Sequence, residues 1–215
     1  MTTRGRFITL EGGEGAGKST QARFIRDWLV ERGREVVLTR EPGGSPLAEA
    51  IRSLVLGDWA EGVTPPTEVM LMFAARAAHW HTTIEPALAA GRDVVCDRFV
   101  DSSYAYQGAG KGVDETALQV LERLAVGSHK PDLTLLFDIE PALGLQRTRE
   151  RGEENRFEQE TLEFMQRVRE SFVARARAEP ARFAMIDAAC DADAVSASVA
   201  QVLVARLAPV PETAA

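Results

Sequence analysis

Gly12-Gly13-Glu14-Gly15-Ala16-Gly17-Lys18-Ser19 fits the pattern Gly-x-x-x-x-Gly-Lys-[Ser/Thr]. The apolar run Phe7-Ile8-Thr9-Leu10 precedes it and a helix-patterned run follows, the strand–loop–helix setting that the pattern requires. Each residue type has a task. The glycines let the backbone turn so that successive N–H groups point inward at an anion. Lys18 brings a compact positive charge to the β- and γ-phosphates of a nucleotide, and Ser19 offers a hydroxyl to Mg²⁺. The following helix aims its positive end at the same place. Gly12, Gly13, Glu14, Gly15, Ala16, Gly17, Lys18, Ser19 and Thr20 are therefore the expected ATP-binding set. The motif alone does not separate kinase, GTPase and ATPase.

The rest of the composition sets bounds. A chain of 215 residues with 45% hydrophobic and 27% charged side chains suits one soluble α/β domain. Its net charge of -7 argues against general binding of nucleic acid or of anionic membranes, so phosphate affinity has to come from local arginine clusters. The two cysteines, Cys96 and Cys190, lack metal or disulfide spacing, and Cys96 reads as a small apolar residue of a buried strand. The first residues lack the apolar core of a signal peptide and no run reaches the ~18 apolar residues of a membrane span. A cytoplasmic protein is expected.

Along the chain, strands are expected at Phe7–Leu10, Val36–Thr39, Asp93–Cys96, Leu133–Asp138 and Phe183–Ile186. The second reads as a buried parallel strand. The first helix runs from Lys18 to about Arg32 with Gly33 as its cap. Others run to about Leu56, from Thr67 to about Trp80, from about Thr82 to Ala90 with Pro86 kinking or dividing it, over Asp114–Ala125, from Pro141, and over Val195–Leu207. Dense charge and Gly152 read as a mobile loop interrupting a helix at Arg147–Phe157. The architecture implied is a three-layer phosphate-loop fold of the P-loop NTPase type: a five-stranded parallel sheet with helices on both faces and an arginine-rich lid at about 147–158. It forms one domain over 1–207, with a disordered tail at 208–215. In such sheets ligands gather at the carboxyl ends of the strands, where the Gly12–Ser19 loop, Arg40–Gly44 and Asp97-Arg98 all fall.

Five collinear stretches carry a resemblance: Leu10–Ser19, Thr39–Gly44 (Thr-Arg-Glu-Pro-Gly-Gly), Leu71–Arg76 (Leu-Met-Phe-Ala-Ala-Arg), Asp97–Gly108 and Arg156–Glu160 (Arg-Phe-Glu-Gln-Glu). In order and spacing they are similar to bacterial thymidylate kinase, from Phe7 to about Leu207. The resemblance implies transfer of the γ-phosphoryl group of ATP to dTMP, with Mg²⁺, in a cytoplasmic homodimer. Helices around Ala48–Leu56 and Thr67–Trp80 are the expected dimer contact.

The residues then take roles. Phosphoryl transfer asks for positioning and positive charge more than for covalent chemistry. Lys18 supplies charge on the donor side, and Arg98 at a strand end can fork onto the acceptor's α-phosphate. A structural ion pair is the plain alternative for Arg98. Asp97 resembles the acid that holds Mg²⁺ with Ser19; a helix cap is its alternative. The resemblance implies that Phe73 stacks on thymine and that Arg76 reaches O4. Arginine only donates hydrogen bonds and O4 only accepts them. Without the resemblance Phe73 reads as ordinary core. Tyr106 is implied to crowd the 2′ position of the sugar. Ser103 and Gln107 are expected base or sugar partners, and Glu41 and Glu14 are expected to face the acceptor sugar or the metal. With Glu14 in the loop, no arginine is offered there. The resemblance then implies that the lid supplies the catalytic arginine, by motif position Arg151 and then Arg156, with Arg147 and Arg149 also on ATP and Arg147 stacking on adenine. Glu158 is assigned to sugar or metal. His79, Trp80 and His81 read as helix-end packing.

A GTPase is opposed by the absence of Asn-Lys-x-Asp and Asp-x-x-Gly. An adenylate or shikimate kinase of the same fold is opposed by Phe73 and Arg76. A nucleotide-sensing module without turnover is opposed by Lys18, Asp97, Arg98 and the lid arginines.

Overall fold

Alternation along the strands decides which side chains meet. In β1 (Phe7–Gly12) every residue is buried, and odd and even positions point to opposite faces of the sheet. Ile8 and Leu10 join Leu135, Phe137, Ile25, Leu29, Val199 and Leu203 on one face. Phe7 joins Val94, Cys96, Phe99, Trp80 and Leu118 on the other. The computed structural model describes residues 4–151 and 160–207 of the chain. Among them, β1, β2 (Val36–Arg40), β3 (Asp93–Asp97), β4 (Leu133–Asp138) and β5 (Phe183–Asp187) form one parallel sheet in the order β2-β3-β1-β4-β5. The register pairs Asp97 with both Leu10 and Arg40, and Gly12 with Phe137. Strand ends are thereby brought level on one edge of the sheet.

Helices α1 (Lys18–Val30) and α9 (Ala192–Leu207) cover the first face. On the other lie α3 (Pro65–His79), which packs against α2 (Pro46–Leu56), and α6 (Glu115–Val126). Gly33 follows α1 at φ 75°, with Arg34 N–H donating to the Leu29 carbonyl, a Schellman ending. α2 starts on Ser45, whose hydroxyl accepts from Ala48 N–H, with Pro46 in the first turn.

Three expectations are corrected. β2 is an edge strand and only half-buried, because α1 and its neighbours cover an edge less fully than the centre. The expected break between helices near 80–82 is absent. A π-helical turn over Trp80–Ile84, in which Glu85 N–H donates to the Trp80 carbonyl, leads from α3 into α4 (Glu85–Ala89). Widening the turn takes in Pro86, which has no N–H to give and crowds the carbonyl four residues back. A second such turn, Tyr104–Gly110, extends α5 (Val100–Ser103). Finally, α7 (Pro141–Arg151) does not break at Arg147, so Arg147 and Arg149 sit on a helix. Of the expected lid at about 147–158, the part from 152 onward, with Arg156 and Glu158, lies outside the described residues, as do the expected tail at 208–215 and the side chain of Arg151. α8 (Leu162–Ala178) follows.

A buried ion cluster fastens α5 to the far side of the sheet. Asp101 is fully buried and receives Arg182 Nη1 on Oδ2 at 2.7 Å and Arg175 Nε on Oδ1 at 2.7 Å. Burial would raise its pKa, and the two arginines outweigh that and hold it low. Arg182 also donates to Thr134, whose hydroxyl meets that of Thr9 at 2.8 Å. No described helix is long and apolar enough to cross a membrane.

Candidate active site

Between β1 and α1 the loop turns at Gly12, with φ 139°, where a Cβ would run into the Phe137 carbonyl oxygen of β4. Behind the loop Gly144 of α7 lies so close that a Cβ there would meet the Glu14 carbonyl. The loop is therefore held between β4 and α7, and Gly144 is a contact that no motif marks. Lys18 is buried, with Nζ donating to the Gly12 carbonyl at 3.1 Å and to the Gly13 carbonyl at 2.7 Å. Burial first, and then the charge of Arg98, push its pKa down to about 8, against the pull of Glu14, Asp97 and Glu11.

Arg98 leaves β3 in a left-handed backbone, φ 71°, the one non-glycine among the described residues to do so. Its N–H donates to the Leu10 carbonyl, and its guanidinium points across the strand ends. Nη1 donates to the Gly12 carbonyl and to Ser102 Oγ, each at 3.1 Å; Nη2 donates to Glu14 Oε1 at 2.8 Å and to Tyr106 Oη at 3.2 Å. Burial would lower its pKa, but Tyr106, Glu14, Asp97 and Glu11 outweigh it and push the pKa up, so the group stays a cation. Its backbone turn is braced from below by Glu11, which accepts from Phe99 N–H at 2.8 Å and from Ser102 Oγ at 2.6 Å. Burial and the neighbouring Asp101 push the Glu11 carboxyl up to about 7.

A cleft of about 530 Å³ opens between these groups. Of the predicted residues, Glu14 to Thr20, Glu41, Asp97, Arg98, Tyr106 and Gln107 line it. Ser19 Oγ donates to Asp97 Oδ2 at 2.7 Å. Both are hard oxygen donors beside the anion loop, which suits Mg²⁺, an ion that takes one or two protein oxygens and fills its shell with phosphate and water.

Other predicted residues do not reach the cleft wall. Phe73 is 3% exposed and packs in the core with Phe99 and Trp80, so its ring is not presented for stacking here; Met72 beside it lines the cleft. Arg76 is 1% exposed. It donates from Nε to Glu41 Oε2 at 2.7 Å, from Nη1 to Ser103 Oγ at 3.0 Å and from Nη2 to the Phe99 carbonyl at 3.0 Å. Ser103 is buried with it. Glu41 lines the cleft with its backbone turn, but its carboxylate faces inward to Arg76 and to His79 Nδ1 at 3.0 Å, not toward a sugar or metal. His79 is thus no mere helix-end packing: its Nε2 meets Thr39 Oγ1 at 2.8 Å and completes a buried polar chain. Arg40, at the strand end where ligands were expected to gather, lines the cleft, and sequence reading missed Arg23 and Arg52, which line it too. Arg52 donates to the Pro42 carbonyl at 2.8 Å, and its nearness to the Arg40–Gly44 turn was the available signal.

A second cavity, about 370 Å³, lies on the other side of the loop and shares Gly15, Ala16, Gly17 and Thr20 with the first. Arg147 lines it, with Nη1 donating to the Ala188 carbonyl at 2.7 Å and Nη2 to the Ala189 carbonyl at 2.8 Å. Arg149 is exposed and lines neither cavity. The loop thus stands between two hollows, and an elongated anion could run from one to the other.

Comparison with known proteins agrees with this geometry. The family model described as thymidylate kinase matches residues 10–199. The thymidylate kinase of Chromohalobacter salexigens is 54% identical over 208 residues, covering 96% of this chain and 98% of the relative. That of Hahella chejuensis is 49% identical over 205 residues, covering 95% and 99%. The crystal structure of thymidylate kinase from Ehrlichia chaffeensis superposes with a TM-score of 0.76 at 34% identity, covering 93% of this chain and 98% of that one.

Two outcomes are expected from this site. Arg76→Met leaves the Glu41 carboxylate buried without its strongest partner and should cost about 3–5 kcal/mol in urea unfolding; unchanged stability would make Arg76 a recognition group alone. A buried Lys18 with a lowered pKa is neutral in the free protein above about pH 8, whereas a polyphosphate needs it charged. ATP binding should therefore take up a proton and weaken up to about tenfold per pH unit above that value. Titration calorimetry in two buffers of different ionisation heat checks this, and an affinity flat across that range contradicts it.

Proposed function

The chain belongs to the thymidylate kinase family and transfers the γ-phosphoryl group of ATP to dTMP; from that premise we propose how the two hollows divide the work. ATP places its nucleoside in the cavity beside Arg147 and threads its phosphates over Gly12 to Thr20, with Lys18 on the β- and γ-phosphates. dTMP occupies the larger cleft with its phosphate toward Arg98. The reading is carried by one observation: the Arg98 guanidinium lies across the strand ends, within hydrogen-bond distance of the loop's Gly12 carbonyl and of Glu14. Two phosphates held by Lys18 and Arg98 would meet end to end between them, which is the positioning that this reaction needs.

The acceptor's sugar and base follow from that placement. Tyr106, held by hydrogen bonds to Arg98 and Glu14, stands where the 2′ carbon of the sugar would pass and favours a deoxyribose. Gln107 is assigned to the base; Arg76 stands behind the cleft wall, holding Ser103 and the Phe99 carbonyl, and the Phe73 ring packs against its guanidinium. Ser19 and Asp97 would hold Mg²⁺, which when bound neutralises the phosphate oxygens. Arg151, with Arg156 second, is assigned the transition-state charge on family position, because the loop carries Glu14 and offers no arginine of its own. Arg149 is assigned to the ATP phosphates and Glu158 to the sugar or metal, on family position alone.

A homodimer is the assembly we assign. Exposed Leu47 and Leu54 on α2, Met70 on α3, and Val120 and Leu124 on α6 lie on helices that pack in series, α2 on α3 and α3 on α6. Burying such side chains is worth about 25 cal/mol per Å². The acidic charge fits a cytoplasmic enzyme whose partners are small anions held locally, neither nucleic acid nor membrane.

Arg98→Lys keeps the charge and loses the fork. It should lower kcat/KM for dTMP by roughly 10²-fold while ATP affinity changes much less, measured by an ADP-coupled assay beside calorimetry. An equal loss for both substrates would sink the acceptor assignment. Leu47→Glu combined with Met70→Glu should convert a dimer to a monomer by light scattering; a monomeric parent protein would refute the interface.

A further inference from the structure

Gln107 sits in the π-helical turn Tyr104–Gly110 and is 1% exposed, yet it lines the cleft. Its Nε2 donates to Glu68 Oε1 at 2.9 Å, and its Oε1 is buried with no hydrogen-bond partner among the described residues. A buried acceptor left alone is unfavourable unless a ligand brings the missing proton. The orientation of this amide is dictated from behind. Glu68, in the first turns of α3, is fully buried, and Lys111 Nζ lies 2.9 Å from its Oε2. A carboxylate in that ion pair accepts hydrogen bonds and donates none. It can hold Gln107 only by the NH₂ group, so the carbonyl oxygen is the atom left over for the cleft.

We propose that Glu68 is a specificity-determining positioning residue, which fixes the Gln107 amide so that the cleft offers an acceptor to a pyrimidine N3–H and thereby selects thymine over cytosine without touching the base. The inference rests on the placement of the base against Gln107 made above. In its chemistry, N3–H is the only N–H that the thymine of a nucleotide carries, whereas cytosine presents a lone pair at N3. Acceptor would then face acceptor, and a site built to pair a polar group discriminates strongly against a ligand that leaves it unpaired. Uracil has the same N3–H, so the device does not distinguish it from thymine. Lys111 adds a direction. By drawing on Oε2 it leaves Oε1 to Gln107.

Glu68→Gln tests this with almost no change of shape. Lys111 keeps the carbonyl of the new amide, whose NH₂ then faces Gln107, and Gln107 turns its own NH₂ to the cleft. The ratio of kcat/KM for dTMP to that for dCMP should fall roughly 10²-fold, through KM for the monophosphate, while KM for ATP and the ratio of dTMP to dUMP stay in place. Glu68→Asp keeps an acceptor-only group and should retain the discrimination. If Glu68→Gln does not accumulate folded, Glu68→Gln with Lys111→Met removes both charges of the buried pair together, and Glu160, the other partner of Lys111, is part-exposed and can be solvated; an intermediate loss of the ratio is expected there. Gln107→Met separates the two levels. If it leaves the ratio of dTMP to dCMP intact, the base does not meet Gln107, and placement and inference fall together. If it lowers the ratio while the folded variants at position 68 keep it, the placement stands and the role of Glu68 is overturned.

Discussion

Arg98 has to remain a cation at a place where burial alone would disfavour one. Everything at the strand ends answers to that requirement. Glu14, Tyr106 and the Gly12 carbonyl accept from its guanidinium, and Asp97 and Glu11 add negative charge nearby. Its left-handed backbone lets it leave β3 across the sheet edge instead of along it, and Glu11 takes the amide and hydroxyl that follow. Lys18 lies in the same field and feels the cost, since the charge of Arg98 is one of the causes of its lowered pKa. Two cations are held near one another in the dry edge of a protein whose net charge is -7. Only closely packed carboxylates make this tolerable, and an arriving polyphosphate relieves the repulsion between them.

The same device recurs one layer further in. Glu41 fixes Arg76 and His79, Glu68 fixes Gln107 and Lys111, and Asp101 fixes Arg175 and Arg182. Each carboxylate is buried, and each holds two side chains in place. A network of this kind is rigid when complete and costly when one member is lost.

Several sequence expectations gave way for reasons that lie in packing. The resemblance implied that Phe73 and Arg76 face the base, yet α2, α5 and α6 cover that helix, both side chains are buried, and Met72 is the residue at the wall. Pro86 looked like a helix break, and a wide turn over Trp80–Ile84 carries the chain past it. Charge density at Arg147 suggested a loop, but the helix continues and the arginine is engaged by carbonyls at the end of β5. In each case a local rule met a tertiary neighbour that it could not foresee.

From the residues alone one could obtain the order of strands and helices, the anion loop and its flanking elements, the collinear motifs, and the edge of the sheet on which ligands collect. These are set by periodicity, glycine placement and short-range spacing, which depend on a few neighbours in the chain. The tertiary structure alone decided which charges are stripped of water and what each then holds. Glu41 and Arg76 are 35 residues apart, Glu68 and Gln107 39, and Glu11 and Ser102 91. Whether such a group ends as a ligand contact or as the brace behind one is a matter of desolvation, and desolvation is fixed by segments that meet only when the chain has folded.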